Sequence, residues 1–185
     1  MSADQPPSGP TRSGFVAIIG APNAGKSTLI NKLVGGKVTI VSPKVQTTRS
    51  IVRGICIHKN AQIVFVDTPG LFTPKKRLER AMVAAAWAGR EDADMAVLIV
   101  DVANKRIDRD TYNIIDRLKE LEGRHTCVLA MNKIDGLKVD KLLPLARDLN
   151  ERFDFAATFM ISALRGGTPR LNTLRRSRQR PCVNL

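Results

Sequence analysis

Several features are scarce in this 185-residue chain, and each scarcity excludes a class of protein. No apolar run approaches the roughly 18 residues needed to cross a bilayer, so no segment is expected to span one. Residues 1–14 carry Pro6, Pro7 and Pro10 and little that is apolar, and they are expected to form a disordered N-terminal segment rather than a secretory leader or an anchor. There are three cysteines, Cys56, Cys127 and Cys182. An odd number without Cys-x-x-Cys spacing argues against a disulfide framework or a zinc site and for reduced thiols in a cytoplasmic protein. The two histidines, His58 and His125, lie in or beside polar turns with no Cys, Asp or Ser at catalytic spacing, and they read as surface residues. No internal repeat is visible.

Acid is missing from one end of the chain. All 17 Asp and Glu lie at or before Asp154, whereas residues 165–185 hold six Arg. The net charge of +13 therefore divides into +7 over residues 1–164 and +6 over a 21-residue tail. Such a balance points to a polyanionic partner: nucleic acid, nucleotide phosphates or an acidic membrane surface. At 43% hydrophobic and 25% charged, the remainder has the composition of one compact domain.

The apolar pattern alternates strand and helix. Phe15 to Gly20 is a short β-branched run that leads into a glycine-rich turn, and apolar residues at 29, 30, 33 and 34 then predict a helix closed by Gly35-Gly36. Lys37–Ser50 and Leu71–Arg77 read as polar loops. Ile51–His58 and Ala61–Val66, joined by Lys59-Asn60, read as a hairpin, and Leu78–Arg90 as an Ala-rich helix on which Met82 and Trp87 are packing residues. Strand and helix pairs follow at Met95–Asp101 with Ile107–Leu121 and at Thr126–Asn132 with Asp140–Phe153, before a last strand at Thr158–Ser162. Continuous apolar strands between helices specify an α/β fold, here a mostly parallel six-stranded sheet with helices on both faces.

Four segments carry chemistry. Gly20-Ala21-Pro22-Asn23-Ala24-Gly25-Lys26-Ser27 fits the phosphate-loop pattern Gly-x-x-x-x-Gly-Lys-Ser/Thr, and it sits between a strand and a helix as that pattern requires. Backbone N–H groups converging at a helix N-terminus favour an anion, Lys26 neutralises β- and γ-phosphate oxygens, and the Ser27 hydroxyl ligates Mg²⁺. Asn23, Ala24, Gly25 and Thr28 complete the phosphate-binding set. Asn132-Lys133-Ile134-Asp135 follows a buried strand. A buried Asp135 carboxylate there accepts the N1–H and 2-amino protons of guanine, a donor pair adenine lacks, while Asn132 ties loops together and the Lys133 stem lies along the base. In Asp67-Thr68-Pro69-Gly70, Asp67 is placed to hold the Mg²⁺ shell and Gly70 to offer its N–H to a γ-phosphate. Ser162-Ala163-Leu164 closes the last strand, where its backbone N–H groups can aim at guanine O6.

Taken in order, these motifs, with Gln46-Thr47-Thr48-Arg49 between them, resemble the translation-factor-related GTPases, and among them the Era family more than its double-GTPase and tRNA-modifying sisters. The resemblance covers about residues 15–164 and implies a P-loop G domain that binds GTP and GDP with Mg²⁺ and hydrolyses GTP. Thr48 would be the switch threonine that completes Mg²⁺ coordination, with Thr47 as the alternative, so Lys26, Thr48 and Gly70 would form the catalytic set. Leu71 stands where Ras-type GTPases put a water-orienting Gln, which makes unassisted hydrolysis slow. Asn23 has two readings, a K⁺ ligand replacing an arginine finger or an ordinary turn residue after proline.

The resemblance also implies action on 16S rRNA and the 30S subunit through a following KH domain, a monomeric state, and a cytoplasmic location with peripheral contact at the inner membrane face. Residues 165–185 depart from it. Gly166-Gly167 is the last glycine pair, no Gly-x-x-Gly loop follows, and the tail lacks helical periodicity. That tail reads either as a truncated or frame-shifted end or as a basic segment that holds RNA in a salt-dependent way. A GTP-hydrolysing switch and a basic RNA-binding module with incidental hydrolysis both fit.

Overall fold

The computed structural model describes residues 12–36, 52–67, 93–103, 106–120 and 126–165. In chain order the elements are β1 (Arg12–Ile19), α1 (Lys26–Val34), β2 (Val52–His58), β3 (Ala61–Asp67), β4 (Met95–Asp101), α2 (Arg109–Glu120), β5 (Thr126–Asn132), a short 3₁₀ turn (Ile134–Gly136), α3 (Val139–Arg152) and β6 (Ala157–Ile161). The expected loops at 37–50 and 71–77, the helix at 78–90, His125, Cys182 and the tail beyond Arg165 lie outside the described residues.

The six strands form one sheet in the order β2-β3-β1-β4-β5-β6. Every neighbouring pair is parallel except the β2–β3 hairpin, which turns through Lys59 in the left-handed region (φ 51°). From β1 the chain winds first towards β3 and β2 and later towards β4, β5 and β6. The carboxyl end of β1 thus lies at the point of reversal, where open α/β sheets form a ligand crevice.

Alternation along each strand sorts side chains onto two faces. Ile18, Phe65, Ile99 and Ala130 pack with Ile30 of α1 on one face. Ile19, Leu98, Val100, Leu129 and Met131 pack on the other with Ile114, Ile115 and Leu118 of α2 and Leu142, Ala146 and Leu149 of α3. Helices therefore cover both faces, which is why β4 and β5 read as unbroken apolar runs. The two helices on the second face are clipped together: Tyr112 Oη donates to Asp148 (3.1 Å), and the Arg152 guanidinium lies 4.3 Å from the Tyr112 ring centroid. Burial, then the hydrogen bond to Asp148, raises the Tyr112 phenol above its ordinary pKa.

Two boundaries differ from expectation by two residues or more. The N-terminal segment was expected to extend through residue 14, but β1 begins at Arg12, because its ladder to β3 continues through Arg12↔Ala61 and Arg12 N–H donates to Asn60 O at 2.9 Å. Backbone pairing supplies what those polar side chains do not advertise. The helix expected from Ile107 starts at Arg109, because the Asp108 carboxylate caps it by accepting from Thr111 N–H (2.7 Å) and Thr111 Oγ1 (2.9 Å). Among the described residues no helix is long and apolar enough to cross a membrane.

Candidate nucleotide site

The loop after β1 is shaped by its two motif glycines. At Gly20 (φ 156°) an added Cβ would lie 2.4 Å from the Ile99 carbonyl oxygen of β4, so only glycine lets the chain leave the sheet this close to its neighbour. Asn23 takes the left-handed conformation (φ 61°), as turn asparagines do. Gly25 (φ 104°) precedes the first turn of α1, and a Cβ there would lie 2.3 Å from Asn132 Nδ2. That first turn carries no acidic side chain. Lys26 is only 6% exposed and folds back over the loop, its ammonium donating to the carbonyls of Gly20 (3.0 Å) and Ala21 (2.9 Å). Ser27 is buried beside it, Ala24 is buried and Thr28 half-buried. The loop thus brings a cation and a helix N-terminus together at the carboxyl end of β1, an arrangement suited to a polyphosphate.

A second cluster forms where β4, β5 and β6 end. Asn132, 2% exposed, bonds in three directions: Nδ2 donates to Ala24 O (2.8 Å), Oδ1 accepts from Ala163 N–H (2.9 Å), and its carbonyl accepts from Val102 N–H (3.1 Å). One residue, through its side chain and its carbonyl, thereby joins the phosphate loop to the ends of three strands. Lys133 adopts the left-handed conformation (φ 65°) and its ammonium pairs with Asp101 at 2.5 Å. Asp135 lies on the 3₁₀ turn, anchored by the buried Ile134.

Two placements, of Asp135 and of the Ala163 N–H, depart from the sequence reading. The Asp135 carboxylate is not buried: its side chain is 24% exposed and 3.5 Å from the guanidinium of Arg165, because it sits on a turn that has already left the sheet. The Ala163 N–H expected to aim at guanine O6 is engaged by Asn132, so Ala163 acts here to fix Asn132, while Ser162 Oγ accepts from Arg165 N–H (3.1 Å) and Leu164 is exposed. Asp101 and Arg165 lie outside the four motif segments. For Asp101 a signal existed: it ends an apolar strand as Asp67 does, in register with Asn132. Arg165 carried no signal beyond its charge.

Asp67 closes β3 in register with Ile18 of β1, which places its backbone one strand from the loop. Thr47, Thr48, Gly70 and Leu71 lie outside the described residues. His58 is exposed and Cys127 buried. Among the described residues no three His, Cys, Asp or Glu gather as a metal cluster. By residue type, the hydroxyl of Ser27 and an acid at the end of β3 are the hard oxygen donors that suit Mg²⁺ alongside phosphate oxygens and water.

Comparison with known proteins agrees with this geometry. Residues 15–133 match the family described as 50S ribosome-binding GTPase. The chain is 58% identical over 156 residues to the GTPase Era of Mesorhizobium japonicum, covering 84% of this chain and 49% of that protein. It is 59% identical over 157 residues to the GTPase Era of Sinorhizobium medicae, covering 85% and 50%. It thus spans about half the length of the curated relatives it matches. Among solved structures, Era in complex with MgGDPNP and nucleotides 1506–1542 of 16S ribosomal RNA superposes with a TM-score of 0.76 at 36% identity, covering 85% of this chain and 53% of that one. An Aquifex aeolicus Era variant bound to GDP and AlF₄⁻ gives 0.75 at 39% identity, covering 83% and 52%.

Proposed function

The chain belongs to this GTPase family and carries an Era-type P-loop G domain, and from that premise we propose that it binds GTP and hydrolyses it to GDP and phosphate. The observation that carries the reading is the Asn132 cross-link. It holds the phosphate loop at one end and the turn presenting Lys133 and Asp135 at the other, so that triphosphate and base are read by one rigid unit. Lys26 neutralises the phosphates, exchanging its two loop carbonyls for β- and γ-oxygens; Asp135 accepts from the guanine edge, and Lys133 covers the ring. Ser27, Asp67 and Thr48 would hold Mg²⁺, which supplies charge neutralisation at the phosphates when bound. Gly70 N–H would meet the γ-phosphate. The attacking water adds to the γ-phosphorus as the bond to the β,γ-bridging oxygen breaks, leaving GDP.

A titration of GTP against ATP in Mg²⁺ tests this directly. Guanine preference with multiple-turnover phosphate release is expected, and equal affinity for the two nucleotides would sink the reading. Asn23 would either help hold K⁺ in place of an arginine finger or serve as an ordinary turn residue after proline, and its left-handed φ of 61° is compatible with both. With Leu71 unable to orient water, phosphate release is expected to be faster in KCl than in NaCl at equal ionic strength. Equal rates would remove the K⁺ ion from the mechanism.

The downstream role follows the relatives. The G domain, expected over residues 15–164, would begin at Arg12 with β1, after residues 1–11 and before the basic residues 165–185, which add +6 to the charge. A nucleotide-gated switch acting on 16S rRNA in 30S assembly is supported by the similarity to Era bound to that RNA. The excess positive charge also favours anionic surfaces, including a membrane face. RNA affinity that ignores nucleotide would instead favour a basic RNA-binding module with incidental hydrolysis.

A further inference from the structure

Asp101 contributes nothing to the core, yet both of its carboxylate oxygens are committed at the base end of the site. Oδ1 accepts from Ala103 N–H at 2.9 Å, which fixes the carboxylate against the turn leaving β4. Oδ2 accepts from Lys133 Nζ at 2.5 Å. The two side chains are 22% and 40% exposed, so the pair is partly withdrawn from water and less screened than the helix-surface pairs elsewhere in the chain. Asp101 and Asn132 are register partners on adjacent strands, which brings Asp101 beside the peptide where Lys133 begins to turn.

Lys133 is one of three non-glycine residues at positive φ among the described residues, and the only one whose ammonium is seen paired across strands to a carboxylate. A lysine has no intrinsic preference for that region; at Lys59 the hairpin turn supplies it, whereas at Lys133 the contact seen is the pair with Asp101. The turn is what takes the chain off the sheet and places Asp135 two residues further on. The Asp101 pair thus meets Lys133 at the residue where the stem sets off and where the backbone turns towards Asp135.

We propose that Asp101 is a positioning residue for guanine nucleotide binding, holding Lys133 in its left-handed turn so that the lysine stem lies along the base and Asp135 faces its edge. The inference rests on the guanine-site reading above. It predicts that losing the carboxylate weakens nucleotide binding while leaving the chemical step alone, because the phosphate loop is held by separate contacts from Asn132 and Lys26.

The variant Asp101→Asn keeps the shape and an acceptor for Ala103 N–H while removing the charge. Lys133→Met keeps the stem and removes the ammonium. In the full 185-residue chain, Asp101→Asn is expected to raise the Kd for GDP and the KM for GTP by roughly three- to tenfold, with kcat unchanged within about twofold and Tm within about 2 °C. In the Lys133→Met background the same substitution is expected to add nothing further. An unchanged Kd in Asp101→Asn, effects that add fully in the double variant, or an affinity loss that follows a fall in Tm would each overturn the positioning role. A wild-type chain that binds GDP and ADP equally would overturn the guanine reading, and this inference with it.

Discussion

The Asp135→Asn variant is expected to lose affinity for GDP by about a thousandfold and to gain affinity for XDP. The argument is one of hydrogen-bond polarity. The guanine edge presents N1–H and a 2-amino group, two donors that a carboxylate meets with two acceptors, and hydrogen bonds to a charged acceptor are worth about 1.5–3 kcal/mol each. An amide offers one acceptor and one NH₂ donor. It faces guanine with a donor against a donor, whereas xanthine carries a carbonyl at C2 and meets the same amide with complementary polarity. The partial exposure of Asp135 places the loss below what a fully buried reader would show. The turn is held by Ile134 and by the Lys133–Asp101 pair, so the substitution should leave the fold intact. Competition titrations with GDP, XDP and ADP check it. A variant that keeps its preference for GDP over XDP would show that Asp135 does not read the base.

The second large effect is expected at Gly25→Ala. A Cβ at this position would lie 2.3 Å from Asn132 Nδ2. That amide cannot swing aside, because it is pinned by Ala24 O on one side and Ala163 N–H on the other. Relief requires breaking the cross-link, which leaves buried polar groups without partners, and the φ of 104° adds backbone strain for any residue with a Cβ. Together these are worth about 2–4 kcal/mol of stability, and nucleotide binding should fall with them because the loop loses its tie to the base-reading turn. Gly36→Ala is the matched control: a Cβ there meets nothing within 4 Å, and near-wild-type stability is expected. Urea unfolding of the two variants, with GTP binding measured alongside, makes the comparison. A Gly25→Ala chain with a wild-type midpoint and intact binding would mean that the loop and Asn132 are not mechanically coupled.

Much of this architecture is legible in the residues themselves. Met95–Asp101 and Thr126–Asn132 are observed with the bounds their apolar runs predict, because a strand covered by helices on both faces has no polar side to interrupt the run. Helix α1 runs from Lys26 to Val34 and stops at Gly35, whose φ of 75° needs glycine's freedom. The start of β1 was not legible, since Arg12 and Ser13 owe their strand conformation to partners about 50 residues away in β3. Nor was the true start of α2, where the capping side chain of Asp108 outweighs the apolar Ile107.

The candidate site divides the same way. The sequence alone determined which residues are proposed for the chemistry: a phosphate-loop pattern with its lysine and hydroxyl, a tetrapeptide proposed to read guanine and a strand-ending acid, each recognisable because such a role depends on residue type at short, fixed spacing. Only the tertiary structure decided how they meet. Asn132 reaches Ala24 across a separation of 108 residues, and Asp101 reaches Lys133 across 32. Strand order and register set both distances, through the backbone pairing of β1, β4 and β5 and the burial of their side chains. The same packing is why the two motif glycines are required against particular atoms, Ile99 O and Asn132 Nδ2, and why Ala163 holds Asn132. No local spacing encodes those contacts, because each is made by residues that become neighbours only once the sheet has closed.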